Sequence, residues 1–415
     1  MDSHFHLDSR AAARRIAGLA APTPLQRDAR LSERTGADVL LKREDLQPVR
    51  SYKIRGAGNL IASLSQQEQQ RGVVCASAGN HAQGVARACA QLGVEARIYL
   101  PRTTPRQKRE RVAALGGDAV SLIITGDTYD DAAAAAADDA AATGATLAPA
   151  FDHPKVIEGQ ATVVREILDE LGRAPDVLLI PVGGGGLLAG ALTALAEDGA
   201  TNTRVIALEP AGAASLAAAL EAGHPVTLDS VETFADGTAV RRIGEHTYPI
   251  IERGNVEVVS VPEGAICVEM LDLYQVEGIV AEPSGAMATA DIAARGIKPG
   301  ELVVAVLSGG NNDVSRYAEV IERALVHEGR KRYFLVEFPQ EPGALRRFLH
   351  DVLGPDDDIT FFEYVKRSNR EYGPALVGIE LGDPTSYDDL MARCDGSPLK
   401  VTPVPPDSPL FRFLL

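Results

Sequence analysis

Four short stretches of this chain hold residue types that do chemistry as well as fill space. In "SYKIRG", residues 51–56, Lys53 stands beside Tyr52 and between two further cations, Arg50 and Arg55. A free lysine amine, with a pKa of about 10.4, is protonated at neutral pH. Burial among other cations lowers that value and makes an imine-forming nucleophile. Whether Arg50 and Arg55 serve Lys53 or face solvent is open from sequence. In "VGGGGLLAG", Gly183, Gly184, Gly185 and Gly186 precede Leu187 and an apolar helical run. Consecutive glycines bare their N–H groups, and a following helix N-terminus adds about half a positive charge, so the loop suits a phosphate. A plain strand-to-helix turn needs one or two glycines, not four. In "CASAGNHAQG", Ser77, Ala78, Gly79, Asn80 and His81 offer a second set of N–H donors at a helix start, suited to a carboxylate. In "AVLSGGNND", a strand-like run ends in Ser308, Gly309, Gly310 and Asn311.

The owner of the phosphate is a separate question. Gly184, Gly186 and Ala189 fit G-x-G-x-x-A, and Glu209 ends the next strand-like run about 20 residues on, as a ribose-binding acid would. Alone, that pattern describes a nicotinamide-dependent dehydrogenase. A Walker loop is excluded, because no Gly-Lys-Ser/Thr follows. Ligands of an open parallel sheet gather at the carboxyl ends of its strands. One phosphate loop, one carboxylate loop, a serine and Lys53 at such an edge suit an amino acid and a phosphorylated carbonyl cofactor better than a dinucleotide.

The elements that must position these residues read as α/β. Apolar, β-branched runs ("DVLLK", "GVVCAS", "ARIYLP", "VLLIPV", "RVIALE", "ELVVAVLS") alternate with helical stretches such as "HAQGVARACAQLG" and "GLLAGALTALAE". That alternation predicts parallel strands, and a run as apolar as "VLLIPV" predicts burial on both faces. The alanine run "DDAAAAAADDAAA" predicts a surface helix. The catalytic body is expected over residues 1–325, with a smaller lobe at roughly 50–155. A polar, linker-like "HEGRKR" opens a module at 326–415, which reads strand, helix, strand, strand, helix, strand, the ferredoxin-like unit. Most of the ten phenylalanines lie there, as a small separate core would require.

Totals exclude other functions. With 415 residues and a net charge of -16, the chain is too long for one core and too acidic for nucleic acid or an anionic membrane as main partner. No apolar run approaches the roughly 20 residues of a membrane span. The start, "MDSHFHLDSR", lacks the basic and apolar segments of a signal peptide, so a cytoplasmic location is expected. The four cysteines are scattered, which indicates neither a disulfide framework nor a metal site.

At these residues the sequence resembles the fold-type II (tryptophan synthase β-like) pyridoxal 5′-phosphate enzymes, specifically the biosynthetic threonine dehydratases, or threonine ammonia-lyases. The matching stretches are "LKREDLQPVRSYKIRGA", "ASAGNHAQGVA", "FDHPKVIEGQ", "VGGGGLLAG", "FADGTAVRRIG", "AEPSGA" and "LSGGNND", in the family's order. "QEPGAL" and its surroundings look like a single ACT-like regulatory domain. The resemblance implies that Lys53 forms the Schiff base and Asn80 bonds the ring hydroxyl. By the same resemblance Gly183, Gly184, Gly185, Gly186 and Leu187 bind the phosphate, Ser308 meets the pyridine nitrogen, and Tyr52 is the aromatic beside the lysine. The Ser77–His81 loop, Asn80 included, would hold the substrate carboxylate. The implied reaction converts L-threonine to 2-oxobutanoate and ammonia, and L-serine to pyruvate, as the first step of isoleucine synthesis. The implied effectors at the C-terminal domain are isoleucine as inhibitor and valine as antagonist. One ACT-like unit, where many relatives have two, implies completion by a partner chain, hence a homo-dimer or homo-tetramer. A catabolic serine/threonine dehydratase is the alternative.

Two departures from relatives matter. Serine racemases carry a serine where this chain has Ala78, so racemisation is expected to be weak. Relatives that bind a divalent cation pair a Glu with an Asp; here Glu209 matches but the second position is Ser215, so no metal is expected and Glu209 reads equally as a solvated strand-end acid. His153 and His81 match the family without a derived role.

Overall fold

The computed structural model describes residues 7–364 and 371–406, with 408, 410, 411 and 414. The chain forms two compact units that divide between Asn312 and Asp313. That division precedes the boundary at residue 325 read from the sequence. The reason is local: "HEGRKR" is no linker. Helix Tyr317–His327 belongs with the second unit, and Lys331 and Arg332 already lie in a strand. The polarity of the segment misled because Lys331 is buried with its charge matched, its Nζ lying 2.6 Å from Glu322 of that helix.

Among the described residues ten strands build the first unit: Leu25–Arg27 (β1), Asp38–Arg43 (β2), Val73–Ala76 (β3), Ala96–Leu100 (β4), Val120–Ile124 (β5), Thr146–Leu147 (β6), Val177–Pro181 (β7), Arg204–Pro210 (β8), Glu257–Val261 (β9) and Leu302–Leu307 (β10). They form two sheets. One runs β1-β2-β10-β7-β8-β9 and is parallel except for β1; the other, β5-β4-β3-β6, is parallel throughout. The chain leaves the larger sheet after β2, builds the smaller one, and returns at β7. Every residue of β7 and of β10 is buried, as strands covered on both faces must be. The six runs singled out in the sequence are β2, β3, β4, β7, β8 and β10. The strands without a sequence signal are two- and three-residue pieces (β1, β6) or half-exposed edge strands (β5, β9).

Helix Pro154–Leu171 packs on helix Lys53–Ala62 on one side and on helix Gly186–Glu197 on the other, so it ties the smaller lobe to the larger. The alanine run folds as the surface helix Tyr129–Thr143, started by a Thr128/Asp131 capping box and burying Ala132 and Ala136 four residues apart.

The second unit carries Lys331–Pro339 (β11), helix Ala344–Asp351, Asp358–Tyr364 (β12), Tyr372–Glu380 (β13), helix Tyr387–Gly396 and Lys400–Val404 (β14). Sheet order β12-β13-β11-β14, antiparallel throughout, is the ferredoxin-like arrangement. Its core is its own: Phe334, Phe348 and Val377 are fully buried, and Phe338 meets Phe348 edge to face at 5.5 Å. Among the described residues no helix is long and apolar enough to cross a membrane.

Candidate active site

The carboxyl ends of β3, β7 and β10 lead into the three loops singled out in the sequence. β3 leads into Ser77–His81, β7 into Gly183–Gly186, and β10 into Ser308–Asn311. Lys53 comes to the same edge by backbone pairing. Ser51 bridges to Gly309, the Tyr52 N–H donates to the Ser308 carbonyl at 3.1 Å, and the Gly310 N–H donates to the Arg50 carbonyl at 2.9 Å. Arg50 turns the chain there with φ at 56°, a left-handed conformation uncommon outside glycine. Lys53 then opens helix Lys53–Ala62. Its Nζ lies 3.3 Å from the Ala150 carbonyl and 5.0 Å from the Tyr52 ring centre. Helix Asn80–Leu92 packs directly on its backbone: a Cβ on Gly84 would sit 3.1 Å from the Lys53 carbonyl.

The sequence left two roles open for the neighbouring arginines. Arg55 does not face solvent. It is 1% exposed and pairs with Glu44 and Glu166, each at 2.7 Å. Burial opposes its charge, but the two carboxylates outweigh that and raise its pKa further above the ordinary arginine range. Lys42, fully buried, joins the same Glu166 at 2.7 Å. The group ties β2 and the turn after it to the helix that presents Lys53 and to helix Pro154–Leu171. Removing one partner would leave a buried charge unmatched.

The glycine loop is locked. The Gly184 carbonyl accepts from the Thr247 hydroxyl at 2.9 Å and from the Gly244 N–H at 3.3 Å. A trans peptide then points the Gly185 N–H the opposite way. Gly185 caps helix Gly186–Glu197 with φ at 87°, and a Cβ there would come within 2.8 Å of Ile243 and Ile251. A Cβ on Gly184 would fall 2.3 Å from the Phe151 ring, and one on Gly183 2.9 Å from Thr238. Four glycines are therefore needed for backbone shape and close packing, and the donors sit at a helix N-terminus, where an anion is favoured. Leu187, in the first turn, is buried.

Asn80 opens helix Asn80–Leu92. Its side chain accepts from Asn311 Nδ2 at 2.7 Å and donates to Glu282 Oε1 at 2.7 Å. His81 is buried, with Nε2 at 2.8 Å from the Ala148 carbonyl, so Nε2 carries the proton; burial pushes its pKa down to about 4. Ser77, Ala78 and Gly79 are half-buried. The Ser308 hydroxyl donates to the Ser284 carbonyl at 3.1 Å, and Ser284 Oγ lies 3.0 Å from Thr238 Oγ1, beside the glycine loop. Loops from both lobes thus meet around Lys53.

Two further residues read differently in the structure. Glu209 is not a solvated strand-end acid. It is fully buried and accepts from the Leu216 and Ala217 N–H groups at 2.6 and 2.9 Å, capping helix Ser215–Ala222; burial pushes its pKa up to about 7. Among the described residues no cluster of His, Cys, Asp and Glu could hold a metal. His153 caps helix Pro154–Leu171, its Nδ1 accepting from the Lys155 N–H at 3.1 Å. Sequence reasoning assigned no individual role to Glu282, Asn311, Phe151 or Thr247. A charged residue inside the apolar "GIVAEPSGAMA" was the available signal for Glu282. A cleft of about 1300 Å³ lined by Ile157, Leu192, Pro249 and Ile250 opens elsewhere in the first unit, and it holds none of these groups.

The chain is similar to known proteins over nearly its whole length. Residues 16–309 match the family model described as pyridoxal-phosphate dependent enzyme, and residues 322–414 match the C-terminal regulatory domain of threonine dehydratase. The chain is 58% identical over 406 residues to the L-threonine dehydratase biosynthetic IlvA of Mycobacterium bovis, covering 97% of this chain and 94% of that protein. The protein of the same name from Bacillus subtilis is 49% identical over 395 residues, covering 95% and 93%. Among solved structures, processed threonine deaminase isoform 2 from Solanum lycopersicum is similar at a TM-score of 0.71 and 41% identity, covering 76% of this chain and 93% of that one. Maize serine racemase is similar at 0.69 and 31%, covering 77% and 97%.

Proposed function

Because the chain belongs to the family of pyridoxal-phosphate-dependent enzymes, we propose that it eliminates water from L-threonine and that hydrolysis of the resulting imine, which takes a water back and releases ammonia, gives 2-oxobutanoate, the entry step of isoleucine synthesis. L-Serine gives pyruvate by the same path. Bound pyridoxal phosphate supplies the electron sink that makes an amino acid's Cα proton removable. The residues present fit it: N–H donors at a helix start for a phosphate, a lysine beside them, and neutral partners around a ring.

Each residue has its own task in this reading. Gly183, Gly184, Gly185, Gly186 and Leu187 hold the phosphate, and Thr247 and Phe151 hold the loop. Asn80 would bond the ring hydroxyl and Ser308 the ring nitrogen, while Tyr52 flanks the lysine. The N–H groups of Ser77–His81 orient the substrate carboxylate. Lys53 Nζ would hold the cofactor in the resting enzyme and would take the substrate's Cα proton. Ser308 is a neutral partner, so it stabilises less negative charge than an aspartate would and favours prompt loss of the β-hydroxyl. Ala78 leaves the loop without the hydroxyl that racemases place there.

The observation that carries the choice of threonine and of biosynthesis is the second unit. Residues 322–414 match the regulatory domain of threonine dehydratase, whereas maize serine racemase is similar over 77% of the chain. That domain implies an amino acid effector, and we assign isoleucine as the inhibitor and valine as its antagonist. A single ferredoxin-like unit leaves its site to be completed by a second chain, in a dimer or tetramer.

The test is 2-oxobutanoate release from L-threonine, titrated with isoleucine. Sigmoidal inhibition is expected. Turnover indifferent to isoleucine would remove the effector and keep the dehydratase; absence of turnover would remove the reaction. Light scattering that found a monomer in the same preparation would remove the oligomer.

A further inference from the structure

Glu282 is the buried acid in the site to which no task has yet fallen. It lies between the two lobes. Its N–H donates to the Gly309 carbonyl at 3.2 Å, and its own carbonyl accepts from the Gly285 and Ala286 N–H groups, which fixes it at the head of helix Pro283–Ala286. A Cβ on Gly309 would fall 2.4 Å from Glu282 Oε1, so the glycine after Ser308 is what leaves room for the carboxyl. Across the lobe boundary, Oε1 accepts from Asn80 Nδ2 at 2.7 Å.

The hydrogen-bond inventory of Asn80 shows what this arrangement is for. Asn311 Nδ2 spends its two protons on the Val49 carbonyl (2.8 Å) and on Asn80 Oδ1 (2.7 Å), which fixes the Asn80 amide with oxygen toward Asn311 and nitrogen toward Glu282. One Nδ2 proton of Asn80 goes to Glu282. The other is the side chain's remaining donor.

We propose that Glu282 is a positioning residue that sets, through Asn80, the charge state of the cofactor's ring hydroxyl. The proposal rests on the assignment of Asn80 to that hydroxyl. An ionised Glu282 puts a negative charge two hydrogen bonds from the hydroxyl oxygen and disfavours its anionic form; a protonated Glu282 permits it. The proton that Glu282 takes up comes from solvent and returns there, so no other reactant is involved.

The surroundings place this change in a useful range. Burial, then Asp236, raise the Glu282 pKa to about 7; the Asn80 bond, Lys108 and the Asn311 N–H act the other way. Lys108 and Asp236 are themselves an ion pair at 2.8 Å, one from each lobe and both partly exposed. On the segment packed against Gly310, Asp45 is matched by Arg43 at 2.7 Å. Arg50 lies on the same segment and contributes its carbonyl to Gly310.

The experiment uses the full chain with pyridoxal phosphate bound and reads the cofactor's visible absorbance across neutral pH. Wild type is expected to show a spectral inflection near 7 and Glu282→Gln to show none, with the acid limb of its kcat/KM profile altered. Asp236→Asn leaves Glu282 in place but removes the acidic neighbour, so it should move the inflection to lower pH. An inflection unchanged in both variants overturns the proposal, as does a wild-type band indifferent to pH. If Glu282→Gln does not fold, Asp236→Asn alone decides. Wild type that binds no cofactor would overturn the functional reading as well, whereas a bound but unresponsive cofactor overturns only the role of Glu282.

Discussion

The glycine loop and the Ser77–His81 loop are alike in plan and opposite in packing. Both follow a buried parallel strand, and both offer N–H groups at the start of a helix of similar length, Gly186–Glu197 and Asn80–Leu92. Gly184, Gly185 and Gly186 are buried, and a methyl on any of them would come within 3.0 Å of another residue. Gly79 has nothing within 4 Å of such a methyl, and Ser77, Ala78 and Asn80 beside it are half-buried. On the proposed assignment, the difference teaches how one sheet edge would serve two ligands. The phosphate would be held by the closely packed loop, and the substrate, which must enter and leave, would be met by the loop with room around it.

The strongest way to break that contrast is Gly184→Ala. The added methyl would lie 2.3 Å from the Phe151 ring, and either the ring or the loop must move. Overpacking of this kind costs about 1–3 kcal/mol, so the dissociation constant for pyridoxal phosphate should rise by about 5- to 150-fold. Equilibrium titration of the cofactor measures it, and an unchanged constant would show that the loop is not locked. A smaller effect should follow from Thr247→Val, which keeps the shape and removes the hydroxyl that donates to the Gly184 carbonyl. Loss of one buried hydrogen bond costs about 1 kcal/mol, or about fivefold in cofactor affinity. Chemical denaturation of the cofactor-free protein should fall by a similar amount. If stability falls and affinity does not, Thr247 serves the fold alone.

Much of this site was legible because its signals are local. Four adjacent glycines and a lysine between arginines need no knowledge of the fold. The six sheet strands that the sequence revealed are continuous apolar runs, since parallel strands are buried on both faces. What stayed hidden depends on partners far along the chain. Arg55 could be read as solvated because Glu166, which neutralises it, lies on a later helix. Glu209 has the composition of a strand-end surface acid, and only the return of helix Ser215–Ala222 over it makes it a buried cap. Glu282 gains its meaning from Asn80 and Asn311, residues of other loops with no periodic relation to it. The difference at the domain boundary has a local cause instead, since the charge of Lys331 is matched by Glu322 on the helix just before it.

The smallest effect, and the most discriminating, is expected from Gly79→Ala. Gly79 has φ −116°, outside the left-handed region that favours glycine, and a methyl there would enter open space. The change also lowers the entropy of the unfolded chain, worth about 0.4–1 kcal/mol in favour of folding where the backbone is compatible. Cofactor affinity should therefore stay within about twofold and stability should hold or rise slightly. The KM for L-threonine is the quantity expected to move, because the new methyl borders the N–H groups assigned to its carboxylate. A change in KM at constant kcat and constant cofactor affinity separates the substrate loop from the phosphate loop. Loss of cofactor comparable to that of Gly184→Ala would instead mean that the two loops are packed as one unit, and the contrast between a locked anchor and an open gate would fail.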